Sequence, residues 1–218
     1  MAIFTTDLSG VFLSVGAPVY NGDREGDKIS LMFVLEDDSA YVSEILDVLK
    51  SHDVDATFFV GGKWASTHQT LVKKIAEDFE LGNHGYSNEN LAKLSKAKQS
   101  NEIVSCHNLI KTITSGTKLD TEQGNKIVSG VEMKLFSPPE ANFNKTTLKC
   151  AEKAGYKTVM WSKNATDGII FEKATTDIHG GEIILLSASA ATLGVLDTIL
   201  AEYSAKNLRA VKISDNIK

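Results

Sequence analysis

The chain has 218 residues, a formal charge of −5, 42% hydrophobic and 23% charged residues, which describes one domain able to bury roughly 70% of the surface its unfolded chain exposes. A pI near 5.6 and only two arginines, Arg24 and Arg209, leave no basic stripe to neutralise phosphates, which excludes nucleic acid as the main partner. No apolar run approaches the roughly 20 residues of a membrane span.

Residues 1–17 are moderately apolar, but Asp7 interrupts the run and no Lys or Arg precedes it. That is not the pattern of a secretory signal, so no export signal is expected. The sequence predicts an N-terminal extension over 1–27 and a single domain over 28–218. Ile29 to Leu35 is a continuous apolar run, as in a strand covered on both faces. Tyr41 to Lys50 then carries apolar residues at helical spacing. Ala56 to Val60 reads as a strand, Leu71 to Phe79 as a helix, and a short strand ends near Gly82. A long helix is expected over 97–113, followed by a polar loop or small hairpin over 116–131. Strands at 133–136, 157–161, 182–186 and 209–213 then alternate with helices at 144–154, 171–178 and 190–206. This alternation implies a parallel sheet, and about seven units suggest closure into a barrel. Cys106 and Cys150 form neither a disulfide framework nor a CxxC pair and read as buried small hydrophobes.

In parallel α/β folds the chemistry sits on loops at the C-terminal ends of strands. Here those ends read LEDDS (35–39), GNHGYSNENL (82–91), FSPPEANF (136–143), WSKNATDG (161–168) and LLSAS (185–189). With ILDVLKSHDVDATFFVGG (45–62), AGYKTVMWS (154–162) and GGEIILLSAS (180–189), they resemble the polysaccharide deacetylases of carbohydrate esterase family 4, the NodB homology domain. The likeness spans about residues 17–217 in the family's motif order, and is to the spore-associated and cell-wall deacetylases of Gram-positive bacteria. It implies a deformed (β/α) barrel of about seven parallel strands with an open groove for a sugar polymer. It also implies a divalent metal, often zinc, held by one Asp and two His, which activates a water to attack an acetyl carbonyl. A metal lowers the pKa of bound water from 15.7 to about 7.

Carried across residue by residue, the family's motifs are largely replaced. In the first, Glu36 falls at the general base, Asp37 at the metal ligand and Asp38 at a glycine. A register one residue later, with Asp37 as base and Asp38 as ligand, stays open. In the second, His84 is the first ligand and Asn88 stands where a second His belongs; a neutral amide is a poor zinc ligand beside imidazole. In the third, Ser137 replaces an Arg that orients the base. Pro138 and Pro139 still shape the groove wall, and Glu140 follows where an aromatic residue is common. In the fourth, Asn164, Asp167 and Gly168 stand where two Asp and a Trp support the catalytic His, so only Asp167 survives. In the last, Ser187 replaces that His, and a serine hydroxyl has no accessible pKa for delivering a proton near neutrality. His52, His68, His107 and His179 read as helix-face or loop residues. A serine hydrolase built on Ser187 is set aside, because the G-x-S-x-G elbow is absent.

The resemblance therefore implies a degenerate deacetylase of the bacterial cell envelope, a pseudo-enzyme kept for binding glycan or a protein partner. Tyr86, Ser137, Pro138, Pro139, Glu140 and Trp161 would form the groove. The catalytic positions would be Glu36, Asp167 and Ser187, and Asp37, His84 and Asn88 would hold a divalent metal such as zinc only weakly, with no tightly bound cofactor. Two alternatives stand beside it: an active metal-dependent deacetylase of N-acetyl sugars in peptidoglycan or chitin-like polymers, and a purely structural envelope domain.

Overall fold

The computed structural model describes residues 16–37, 40–121 and 124–217. Asp38, the second-choice ligand of the acidic first motif, lies outside them. Among the described residues the order begins with β1 (Lys28–Leu35), α1 (Val42–Ser51), β2 (Thr57–Val60), α2 (Gly62–Thr67), α3 (Gln69–Asp78) and β3 (Glu80–Asn83). It continues with α4 (Lys96–Thr114), the hairpin strands β4 (Ser115–Thr121) and β5 (Gly124–Ser129), β6 (Leu135–Phe136) and α5 (Lys145–Lys153). The remainder is β7 (Lys157–Thr158), β8 (Lys163–Asn164), α6 (Ile170–Thr175), β9 (Ile183–Leu186), α7 (Ala190–Ala205), β10 (Arg209–Ala210) and α8 (Ile213–Asn216).

Seven parallel strands lie side by side in the order β7-β6-β3-β2-β1-β9-β8, and β10 pairs with the start of β1. The sheet curls into a half-barrel, the deformed barrel that the strand–helix alternation anticipates. Its two terminal strands, β7 and β8, are neighbours in sequence. The expected strand over 157–161 is shortened to β7 (Lys157–Thr158), and Val159 to Ser162 lead across to β8 at the other end of the sheet. Val19 pairs with Val159 and Asn21 with Glu182, which ties the segment before β1 to the same rim.

Apolar burial on both faces of the sheet explains why β1 reads as an unbroken hydrophobic run. Ile29, Leu31, Phe33 and Leu35 pack outward into the helix layer, where Phe33 stacks on Phe58 at 4.9 Å between ring centroids. Met32 points the other way and joins Phe59, Leu135, Val159, Ile183, Leu185 and Ile213 in a smaller inner core. Ile213 comes from α8, so a short helix closes the N-terminal end of the half-barrel where the sequence suggests only the end of a last strand. Glu80 fixes that helix: its Oε2 accepts from the Ser214 N–H (3.2 Å) and the Thr57 hydroxyl (2.7 Å). A further helix, α2, has no counterpart among the expected elements; it is short and its buried face is only Gly62, Trp64 and Ala65.

The inner core is tight at Gly82, in the middle of β3. A Cβ there would lie 2.5 Å from the Phe59 ring, and that ring is fully buried. Gly82→Ala is therefore expected to destabilise the fold by about 2 kcal/mol through overpacking, read as a lowered urea midpoint at unchanged slope. An unchanged midpoint would show that Phe59 has room to yield.

Candidate functional site

The alternation of side chains along a strand decides what reaches the mouth of the half-barrel. On β1, Met32 and Val34 face inward, and Glu36 continues that parity into a cleft, while Asp37 is exposed and does not line it. On β3, Gly82 and then His84 face inward, while Asn83 turns toward the helices. On β9, Ile183 and Leu185 are inner-core residues and Ser187 follows at the mouth. The cleft has a volume of about 340 Å³. Pro138, Glu140 and Ala141 form one wall, and Trp161, Asn164 and Thr166 the other.

At its floor, Glu36 Oε2 lies 3.2 Å from His84 Nε2, with the two side chains 29% and 4% exposed. The approach lacks hydrogen-bond geometry, so that carboxylate oxygen makes no hydrogen bond, and neither does His84 Nδ1. Ser187 Oγ donates to the Thr166 carbonyl (3.3 Å) and sits 3.0 Å from Ser189 Oγ and 3.3 Å from Thr192 Oγ1. Ser189 in turn caps α7 by accepting from the Thr192 N–H. The hydroxyl at the acid position is thus bound into a neutral network that offers no titratable proton near neutrality.

The loop that carries His84 is held from behind. Asn83 Oδ1 accepts from the Gly85 N–H (2.8 Å), and its Nδ2 donates to the Ile103 carbonyl and the Tyr156 hydroxyl. Burial pushes that tyrosine's pKa up. Glu102 on α4 accepts from the Tyr86 and Ser87 N–H groups at 3.0 and 2.7 Å. Gly62 and Lys63, opening α2, donate to the Gly85 and Tyr86 carbonyls. Cys106 donates to the Val60 carbonyl beneath this loop, and burial pushes its thiol up to about 12; it is a packing residue and no nucleophile.

Glu36, His84, Pro138, Glu140, Trp161 and Ser187 therefore meet in one cleft. The other expected site residues do not line it. Tyr86 is half-buried against the outer core. Ser137 is fully buried with its Oγ unpaired, and Pro139 is buried with its ring against Gly85. Asp167, expected behind the catalytic acid, is 81% exposed and paired with Lys173, whose ammonium holds its carboxyl below the usual range. Asn88 takes a left-handed backbone (φ 62°) and its Oδ1 is buried without a partner.

Sequence reasoning passes over Val34, Ala141, Thr166, Leu185 and Leu186 as cleft residues, and Glu102 as the clamp on the His84 loop. The period-two parity from Glu36 and Ser187 would have found Val34 and Leu185. Nothing local to Glu102, on a helix face, announces its reach.

The metal implied by the resemblance requires at least three protein donors converging on one point. Among the described residues no group of three His, Cys, Asp or Glu does so. Glu36 and His84 are a pair, Asp37 is outside the cleft, and Asn88 offers a neutral amide. The described donor set does not fit a zinc ion.

The family model for polysaccharide deacetylase matches residues 21–159, and the chain belongs to that family. The match ends before β8 and β9, so it covers neither Asn164 nor Ser187. The chain is 32% identical over 177 residues to an uncharacterized 30.6 kDa protein of Geobacillus stearothermophilus, covering 77% of this chain and 62% of that one. It is 27% identical over 209 residues to a peptidoglycan-N-acetylglucosamine deacetylase of Bacillus cereus, covering 90% and 70%. Among solved structures it shares the fold of a carbohydrate esterase family 4 pseudoenzyme from Bacillus anthracis, at TM-score 0.82 and 24% identity, covering 93% and 69%. A mutant of that protein is described as having restored enzymatic activity. The chain spans less than two thirds of the Geobacillus relative's length.

Proposed function

We propose that this chain is a polysaccharide deacetylase domain whose catalysis has lapsed and whose cleft binds a glycan strand of the cell envelope. The observation that carries this reading is the contrast within one cleft. The scaffold still brings Glu36, His84 and Ser187 together, yet the groups that would make the constellation chemical are replaced or turned away. Loss of the proton donor alone removes about 10²- to 10⁴-fold, and loss of metal donors removes several kcal/mol of Lewis-acid stabilisation. Trp161, Pro138 and Val34 supply apolar surface for pyranose faces, and Asn164, Thr166 and Ser187 supply partners for sugar hydroxyls. The Bacillus anthracis pseudoenzyme supports the reading as a precedent on the same fold, and the peptidoglycan deacetylase relative supports the choice of glycan.

Metal content tests it. The purified protein is expected to hold zinc well below one equivalent after dialysis, measured by atomic emission. Stoichiometric zinc surviving dialysis would overturn this reading in favour of a working deacetylase that uses Glu36, His84 and the adjacent acidic loop. Calorimetric titration with peptidoglycan or chitin oligomers then separates a glycan-binding domain from a purely structural one.

A further inference from the structure

Resting on the glycan-binding reading, we propose that the cleft takes a cationic amino sugar, the de-N-acetylated unit of a glycan, in preference to its N-acetylated form. The charge of the lining carries the argument. Glu36 stands on the floor and Glu140 at the rim, and no Lys or Arg is among the residues that line the cleft. The lysines near it are engaged elsewhere: Lys163 donates to the Thr176 carbonyl at 2.7 Å and lies 3.7 Å from Glu182, and Lys173 pairs with Asp167.

One further observation points to a ligand there. His84 is only 4% exposed, lines the cleft, and keeps Nδ1 without a hydrogen-bond partner. A buried polar atom in that condition loses its hydration with nothing to replace it. The rim is also strained, because Glu140 and Ala141 both have left-handed backbones (φ 53° and 57°), unusual for residues other than glycine. Such strain persists where surrounding structure imposes it, often at ligand clamps. Pro138 and Pro139 provide the rigid lead-in, and Asn142 Nδ2 donates to Glu140 Oε2 (3.1 Å).

The two forms of the sugar differ in what they present to this lining. An ammonium offers only donors, while an acetamide offers a single N–H donor and a carbonyl acceptor. Carboxylates are acceptors only, so Glu36 and Glu140 match the ammonium by charge-assisted hydrogen bonds and oppose the acetamide oxygen. Glu36 lines the cleft with its side chain 29% exposed, so its carboxylate is an acceptor at the floor for such a group. Trp161 adds an aromatic face that suits both a pyranose ring and a neighbouring cation.

Calorimetric titration of the whole chain with a glucosamine tetramer and with an N-acetylglucosamine tetramer, near neutral pH and low salt, tests the proposal. The glucosamine tetramer is expected to bind at least about tenfold tighter, a difference of about 1.4 kcal/mol. The preference should shrink on added salt and in Glu140→Gln, whose exposed side chain can change without disturbing the fold. Equal affinity, or tighter binding of the acetylated tetramer, overturns the proposal and leaves the glycan-binding reading standing. Binding of neither overturns both. Competition by trilysine as strong as by the glucosamine tetramer would show that charge alone is recognised, and would overturn the assignment to a sugar.

Discussion

A chain carrying Glu36→Asp, Asn88→His, Ser137→Arg and Ser187→His together is expected to release acetate from an N-acetylglucosamine oligomer at least about 10²-fold faster than its parent, the low end for one positioned acid or base. The scaffold favours this outcome. Residues 36 and 187 already face one cleft together with His84. A histidine at position 88 inherits a left-handed backbone (φ 62°), a conformation in which Asn, Asp and His are enriched. Position 137 is the demanding one, since Ser137 is fully buried and a guanidinium must find room and a partner beside residue 36. All four changes belong in one protein because groups that act as a unit restore little singly. Zinc retention through dialysis is expected to appear first, with acetate release following. A folded variant that binds zinc and releases no acetate would mean that the groove has diverged beyond its catalytic residues. A parent with a comparable rate would overturn the lapsed-enzyme reading.

Asn83→Ala is expected to cost about 3 kcal/mol, a larger loss of stability than Gly82→Ala next to it, because it combines an orphaned buried donor with a void. Asn83 is fully buried and its amide joins three groups: the Gly85 N–H, the Ile103 carbonyl and the Tyr156 hydroxyl. The last two have other partners within reach; Tyr156 also meets His107 Nδ1 at 2.5 Å. The Gly85 N–H would be left buried and unpaired, at about 1–3 kcal/mol, and the truncated side chain would leave a void beside it. Because Gly85 follows His84, the loss should show twice: in the urea midpoint, and in faster amide exchange of Gly85 than of the β1 core. A loss below about 1 kcal/mol would mean that a water or a shifted α4 replaces the amide, and that the loop does not depend on it.

Much of the fold is legible in the residues. The alternation of apolar runs with helical spacing gives the parallel sheet, because strands buried on both faces need no polar alternation. Expected strand ends bring LED (35–37), GNHGYS, FSPPE and LLSAS to one end of the sheet, as parallel connections require. The stretch over 116–131, expected as a polar loop or small hairpin, carries the antiparallel pair β4 and β5. The strand expected over 157–161 is shorter than its expectation. Only Lys157–Thr158 pair as β7, since the residues after them lead across to β8 at the other end of the sheet.

The sequence by itself determined the class of fold and the family, because those are matters of residue identity and order. Only the tertiary structure decided which neighbours share the cleft. In β1 both faces are apolar, so no pattern within KISLMFVL marks the inner one. The packing of Met32 on Phe59 and Ile213 sets the parity that sends Glu36 inward and leaves Asp37 outside. Asp167, expected behind the catalytic acid, is 81% exposed and paired with Lys173. Glu102 clamps the His84 loop from a distant helix. Such contacts depend on how helices dock around a curled sheet, and a linear pattern of residues does not specify that distance.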